Sequence, residues 1–91
     1  MKPSDKKRQA TIAYLAKALR DARVRQGLSM SAVAERAGLS QQMVSYVERQ
    51  MRMPTIDTLL RMSEALAIDP SDILRNASKW SSSFVMRQDT K

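Results

Sequence analysis

The chain of 91 residues contains no cysteine and no histidine. Those two absences exclude disulfide staples, zinc-finger ligand sets, cysteine nucleophiles and imidazole acid–base chemistry. Only two glycines occur, at positions 27 and 38, so no glycine-rich phosphate loop can be assembled. Aromatics are scarce: one Trp, two Tyr and one Phe. No apolar run exceeds the five residues 12–16, far below a membrane span or a signal-peptide core. The nine acidic residues are scattered rather than paired, so the expectation is a protein that is not an enzyme and uses no cofactor or metal. The lack of cysteine suits a reducing cytoplasm.

What the chain does have is positive charge. Sixteen Lys and Arg stand against nine Asp and Glu, a net of +7. Residues 1–25 hold eight basic and two acidic side chains, net +6, whereas residues 26–91 hold eight and seven, net +1. A basic segment leading into a nearly neutral domain fits a polyanionic partner, because phosphate contacts release counterions. On charge alone a merely solvated run fits equally well.

Residues 1–10 are polar, include Pro3 and show no apolar period, and are expected to form a mobile basic arm. From Thr11 onward Ile12, Leu15, Leu19 and Ala22 recur at helical steps, and Gly27 ends that helix. Four short helices follow, opened by Ser29, Ser40, Thr55 and the Asp69-Pro70 pair. Asp69 and Asp72 are read as a cap and a first-turn charge rather than metal ligands. No segment alternates with period two over a useful length, so the expected class is all-α with five helices over residues 11–76, followed by a tail at 77–91. The expected core is Ile12, Leu15, Leu19, Leu28, Val33, Ala37, Leu39, Val44, Val47, Ile56, Leu59, Met62, Leu66, Ile68, Ile73 and Leu74. Seven methionines imply loose packing or an adaptable contact surface, with Met51 and Met53 expected beneath their loop.

Residues 29–50, SMSAVAERAGLSQQMVSYVERQ, carry the functional signal. Two helices joined by only Gly38-Leu39-Ser40 must cross steeply, which needs a backbone bend that glycine tolerates and a small residue at the crossing. Gly38 and Ala34 supply these. Val33, Ala37, Leu39, Val44 and Val47 stand where apolar residues seal the pair to a core. Gln41, Gln42, Ser45, Tyr46 and Arg49 are left on the outer face of the second helix, as on a recognition helix entering the major groove by its N-terminus.

Here the chain resembles the helix-turn-helix family of lambdoid phage repressors and Cro, also called the Xre family. The likeness spans residues 15–74: L-x3-L-R-x2-R-x3-G-L-S at 15–29, A-G-L-S at 37–40, V-S-x-V-E-R at 44–49, Pro54, and L-x6-L at 59–66. The resemblance implies a five-helix, lambda-repressor-like DNA-binding domain that regulates transcription, here expected to repress, as a homodimer on a palindromic operator in the cytoplasm, at the nucleoid. Carried over position by position, it places Gln41, Gln42 and Tyr46 at base edges, and Ser29, Ser31, Ser40, Ser45, Arg49 and Arg52 at phosphates. It pairs Arg23 with Glu48 as a structural ion pair. Lys6, Lys7 and Arg8 of the basic segment are further candidate phosphate contacts. The chain departs from the family at Met30, where a Gln is usual, and at Gln50, where a Gly is usual. The second departure predicts a strained or differently shaped exit from the third helix.

Tyr46 has an alternative, packing its ring on the first helix with its hydroxyl in water. Trp80 and Phe84 either cover the last helix of their own chain or form a dimer contact, the latter being favoured because large aromatics anchor interfaces. Two neighbouring functions share the fold: an antitoxin or adaptor whose main partner is a protein, and a restriction–modification controller protein.

Overall fold

The computed structural model describes residues 2–89, with side chains through residue 83. Five helices run in order: α1 (Pro3–Arg25), α2 (Met30–Ala37), α3 (Gln41–Glu48), α4 (Ile56–Ala65) and α5 (Pro70–Asp89), with no strand among the described residues. α2 to α5 start where the capping residues predicted. The hydroxyls of Ser29, Ser40 and Thr55 accept the N–H groups of Ala32, Met43 and Thr58 at 3.0, 3.1 and 3.1 Å. The Asp69 carboxylate accepts the Ser71 N–H at 2.8 Å, with Pro70 filling the first helical position where no N–H is needed.

The first four helices end alike. A residue in the left-handed region reverses the chain (Gly27 φ 68°, Gly38 φ 68°, Gln50 φ 58°, Ala67 φ 55°). The next N–H then bonds a carbonyl five residues back: Leu28 to Arg23, Leu39 to Ala34, Met51 to Tyr46 and Ile68 to Ser63, at 2.8–3.1 Å. This is the Schellman closure, which satisfies carbonyls that the helix itself leaves open. Two of the four sites use a residue with a side chain, where a Cβ crowds the following carbonyl.

Both terminal segments differ from expectation. Residues 3–10, expected as an arm, form the first two turns of α1. Pro3 occupies the first helical position, Asp5 adds negative charge to the first turn and pairs with Arg8, and the Thr11 hydroxyl donates to the Lys7 carbonyl at 2.8 Å. Lys, Arg, Gln and Ala are good helix formers, and Ala10 is buried, so helicity here needs no apolar stripe. α5 likewise continues through the expected tail, with Ala77 and Ser81 buried on it. α1 and α5 make the largest helix–helix contact, and the molecule is drawn out to 46 × 21 × 20 Å.

The core is closed by the fully buried Leu19, Met62, Leu66, Val33, Val44 and Val47. Four expectations are corrected: Ile56 and Leu74, read as core, are exposed, and so are Met51 and Met53, read as packing under their loop. α4 buries Thr58, Leu59, Met62 and Ser63, which turns Ile56 and Leu60 away from the centre. The volume is taken up instead by Ala10, Ala16, Ala22, Ala34 and Ala77, small residues that let helix backbones approach.

Ala67 is exposed, so replacing it acts on its left-handed backbone alone. Ala67→Gly is expected to raise stability by about 0.5–1 kcal/mol, a rise of a few degrees in Tm, after the entropic cost of glycine is subtracted. Denaturant and thermal melts check this, and an unchanged or lowered midpoint would show that the turn carries no relievable strain.

Candidate nucleic-acid interface

The geometry of α2 and α3 follows from the turn between them. A Cβ at Gly38 would lie 3.0 Å from Nη1 of Arg61, in addition to the strain of φ 68°. That guanidinium is held in place, donating to the Ala37 carbonyl at 3.3 Å and to the Asp57 carboxylate at 2.8 Å. Glycine is therefore needed for the conformation, and a Cβ would in addition push the half-exposed end of Arg61 aside by a few tenths of an ångström. Ala34, Val33, Ala37, Val44 and Val47 are buried and Leu39 packs against them, so α3 is seated on α2 and the core by its apolar side.

Its other side is polar and open. Gln41 and Gln42 are exposed, and Ser45 and Tyr46 are half-buried. Arg49 is exposed at the C-cap. The Gln42 amide donates to the Tyr46 hydroxyl oxygen, and the Arg52 guanidinium stands 5.3 Å above the Tyr46 ring centroid. Gln42, Tyr46 and Arg52 thus form one connected group across the face, joined by a hydrogen bond and a cation–π contact. Period reading misses the Arg52 contact, because the chain reversal at Gln50 creates it. With φ 58°, Gln50 makes the strained exit that its departure from the family pattern predicted.

Ser29, Ser31 and Ser40 are exposed at the N-termini of α2 and α3. Ser29 and Ser40 accept capping bonds, which leaves their hydroxyl protons free to donate outward. The first N–H groups of both helices also point outward, giving two places suited to an anion. Met30 packs against the hydrophobic cluster, so no side chain braces this edge as the family's usual Gln would. On α1, Lys7 is exposed, Lys6 is half-buried, and Arg8 is exposed and paired with Asp5.

Beneath the face, Arg23 of α1 grips Glu48 with two hydrogen bonds, Nε to Oε2 at 2.7 Å and Nη2 to Oε1 at 3.0 Å. Its Nη1 donates to the Leu28 carbonyl at 2.9 Å. The Glu48 side chain is only 2% exposed. The hydrogen bond from Glu48 raises the Arg23 pKa further above its already high value, against the opposing effect of desolvation. The C-terminal end of α3 is thus locked to α1.

Away from this face, Trp80 of α5 rests against Tyr14 of α1, ring centroids 6.1 Å apart and tilted by 40°, with the indole partly open to solvent. The side chain of Phe84 lies outside the described residues. Asp72 pairs with Arg75 at 3.0 Å. Among the described residues no helix is long and apolar enough to cross a membrane.

Residues 19–73 match the family described as Helix-turn-helix. The crystal structure of the restriction-modification controller protein C.AhdI from Aeromonas hydrophila is 31% identical and superposes with a TM-score of 0.65, covering 68% of this chain and 94% of that one. A mutant of the restriction-modification controller protein C.Esp1396I shares the fold at 19% identity, with a TM-score of 0.68, 76% of this chain and 90% of that one covered. No curated protein matches the chain.

The Arg23–Glu48 pair lies inside the matched segment and can be tested for its structural weight. Glu48→Ala leaves a partly buried guanidinium without its carboxylate and is expected to cost about 2–3 kcal/mol. The double replacement Arg23→Met with Glu48→Leu should cost clearly less than Glu48→Ala alone. Urea titrations decide; a cost under about 1 kcal/mol for Glu48→Ala would remove the pair from its anchoring role.

Proposed function

The chain belongs to the Xre/Cro-like helix-turn-helix family of DNA-binding transcription regulators, and from that premise we propose that it is a sequence-specific repressor. It binds a palindromic operator as a homodimer, presenting α3 of each copy to successive major grooves about one helical turn apart. The observation that carries this reading is the open polar face of α3 on a locked base: Gln41, Gln42 and Tyr46 outward, Val44, Val47 and Glu48 buried. Side chains fixed on a rigid element lose little freedom on binding, which is what base discrimination requires.

Gln41 and Gln42 are assigned to base edges, where glutamine bonds adenine N6 and N7. Tyr46, held by Gln42 and Arg52, completes the reading group. Ser29, Ser31, Ser40 and Ser45 with the N-termini of α2 and α3, and Arg49 and Arg52 at the far edge, are assigned to phosphates. Lys6, Lys7 and Arg8 extend the phosphate contacts along α1 as a helix rather than as a wrapping arm. Such a regulator acts in the cytoplasm, at the nucleoid, and needs neither cofactor nor catalytic step. A controller role in a restriction–modification system is the second reading, favoured by the likeness to two controller proteins. A protein partner, as for an antitoxin, is supported by no specific contact and ranks below both.

Selection of purified protein on a randomised duplex library at near-physiological salt tests the reading, with enrichment of an inverted repeat expected. On the enriched site Gln41→Ala should lose about 1–3 kcal/mol of binding while affinity for unrelated duplex stays nearly constant. Equal loss on every duplex would take Gln41 out of base reading. Lys6→Ala with Lys7→Ala should weaken binding on all duplexes alike and flatten the plot of log affinity against log salt by about one unit per lost phosphate contact. An unaltered slope would leave these lysines idle.

A further inference from the structure

Gln41 and Gln42 are the same residue type at consecutive positions of α3, yet they are built into its polar face differently. The Gln42 amide donates to the hydroxyl oxygen of Tyr46, one turn further along the helix. The corresponding position for Gln41 holds Ser45, whose short side chain makes no bond to it. Tyr46 is itself held by Arg52 in two ways. The Arg52 guanidinium stands 5.3 Å above the ring centroid, and the Arg52 N–H donates to the Tyr46 carbonyl at 3.4 Å. Beneath them the end of α3 is locked to α1 through Glu48. A line of contacts thus runs from the chain reversal at Gln50 through Arg52 and the tyrosine ring to the end of the Gln42 side chain. Among the described residues no such line reaches Gln41.

We propose that Tyr46 is a positioning residue for Gln42: its hydroxyl holds the Gln42 amide in place over the face, which makes Gln42 the sharper of the two glutamines in discriminating bases. The inference rests on the sequence-reading role proposed above and deepens it. Glutamine is among the side chains that lose most rotamer freedom when fixed, and that loss opposes binding when it happens on the DNA. Here part of the ordering is already done in the free protein, by a stiff aromatic side chain with a guanidinium stacked on it. The bond to Tyr46 uses one N–H of the amide. Its oxygen and second N–H remain, the acceptor and donor that adenine N6 and N7 require. A hydroxyl can also donate, so Tyr46 fixes where the amide sits rather than which way it is turned. An amide held in place does not swing to follow a base edge that lies elsewhere, so a wrong base leaves polar groups unpaired and is penalised. Gln41, free to move, adapts to more than one base edge at lower cost.

Tyr46→Phe in the full chain removes the hydroxyl and keeps the ring beneath Arg52. In the free protein, NMR relaxation of the side-chain amides should find Gln42 ordered and Gln41 mobile, with Tyr46→Phe bringing Gln42 to the mobility of Gln41. Equal mobility in the wild-type chain would overturn the positioning role with no DNA present. On the duplex selected from the randomised library, Tyr46→Phe should lower the ratio of affinity for that duplex over an unrelated one by about 5-fold, the weight of one net hydrogen bond. It should broaden base tolerance at the pair read by Gln42 and not at the pair read by Gln41. In a Gln42→Ala background the same change should have no further effect. A loss that persists undiminished in that background would show the hydroxyl acting on the DNA directly, and the positioning role would fall while base reading stands. A chain that selects no duplex although its Gln42 amide is ordered overturns the base-reading role, and the hold on Gln42 then serves no recognition.

Discussion

The buried pair between Arg23 and Glu48 is the contact on which the rest of the geometry depends. α3 has eight residues, too few to be a stable helix in water, so its position must come from outside itself. Val44 and Val47 fix it against the core, but apolar contacts alone permit sliding and rotation. Two parallel hydrogen bonds between a planar guanidinium and a planar carboxylate define direction as well as distance. Since the same arginine holds the Leu28 carbonyl just before α2, one side chain sets α1, the entrance to α2 and the end of α3 relative to one another. The interaction is costly to break and modest to possess, because Glu48 has lost its water and Arg23 most of its own. Its value is orientation: the base-reading role proposed for α3 tolerates errors of only a fraction of an ångström.

The short helices obey a common rule at their ends. Each of α2, α3 and α4 begins with a hydroxyl that accepts an N–H three residues on, and each ends with a left-handed residue that closes a Schellman turn. A helix of eight to ten residues has nearly all its polar backbone groups within one turn of an end, so local capping decides where it starts and stops. That is why Ser29, Ser40 and Thr55 could be read as starts directly from the chain, and why Gly27 and Gly38 could be read as stops. The same constraint explains Gln50 and Ala67. The closure is needed whether or not glycine is present, and the surrounding packing imposes the conformation on residues that resist it.

Legibility varied with the kind of information required. The helix-turn-helix frame was readable because each of its demands falls on a residue type with few substitutes: Gly38 for the bend, Ala34 for the crossing, Val44 and Val47 for the seal. The first turns of α1 were not readable from periodicity, because their helicity rests on propensity, on Pro3 at the first position and on the Asp5–Arg8 pair rather than on an apolar stripe. α5 was underestimated for a related reason: among the described side chains its buried positions beyond Ile73 are Ala77 and Ser81, which do not announce a core face. Ile56 was misplaced because an apolar residue at a helix start looks like core in any one-dimensional pattern. Which side of α4 faces inward is decided by where α2 and α5 pack, and that is a property of three dimensions. The contact of Arg52 with Tyr46 lies beyond sequence reading altogether, since it needs the chain to reverse between them.

That reversal ties the strained turn to the chemistry of the face. Gln50 adopts φ 58°, a conformation that costs a residue with a side chain on the order of 1 kcal/mol. In return the Met51 N–H reaches the Tyr46 carbonyl at 2.8 Å, and the next residue, Arg52, comes back over the ring of the same tyrosine. Without the reversal the chain would run on from α3 and carry Arg52 away from Tyr46, leaving the ring held by Gln42 alone. The turn also carries Met51 and Met53 out to the surface on the side away from the core. One six-residue passage, from Arg49 to Pro54, therefore does two mechanical tasks: it steadies the far edge of the polar face and it displays the apolar residues that precede α4. A change in either task is transmitted to the other, because too few residues lie between them to absorb it.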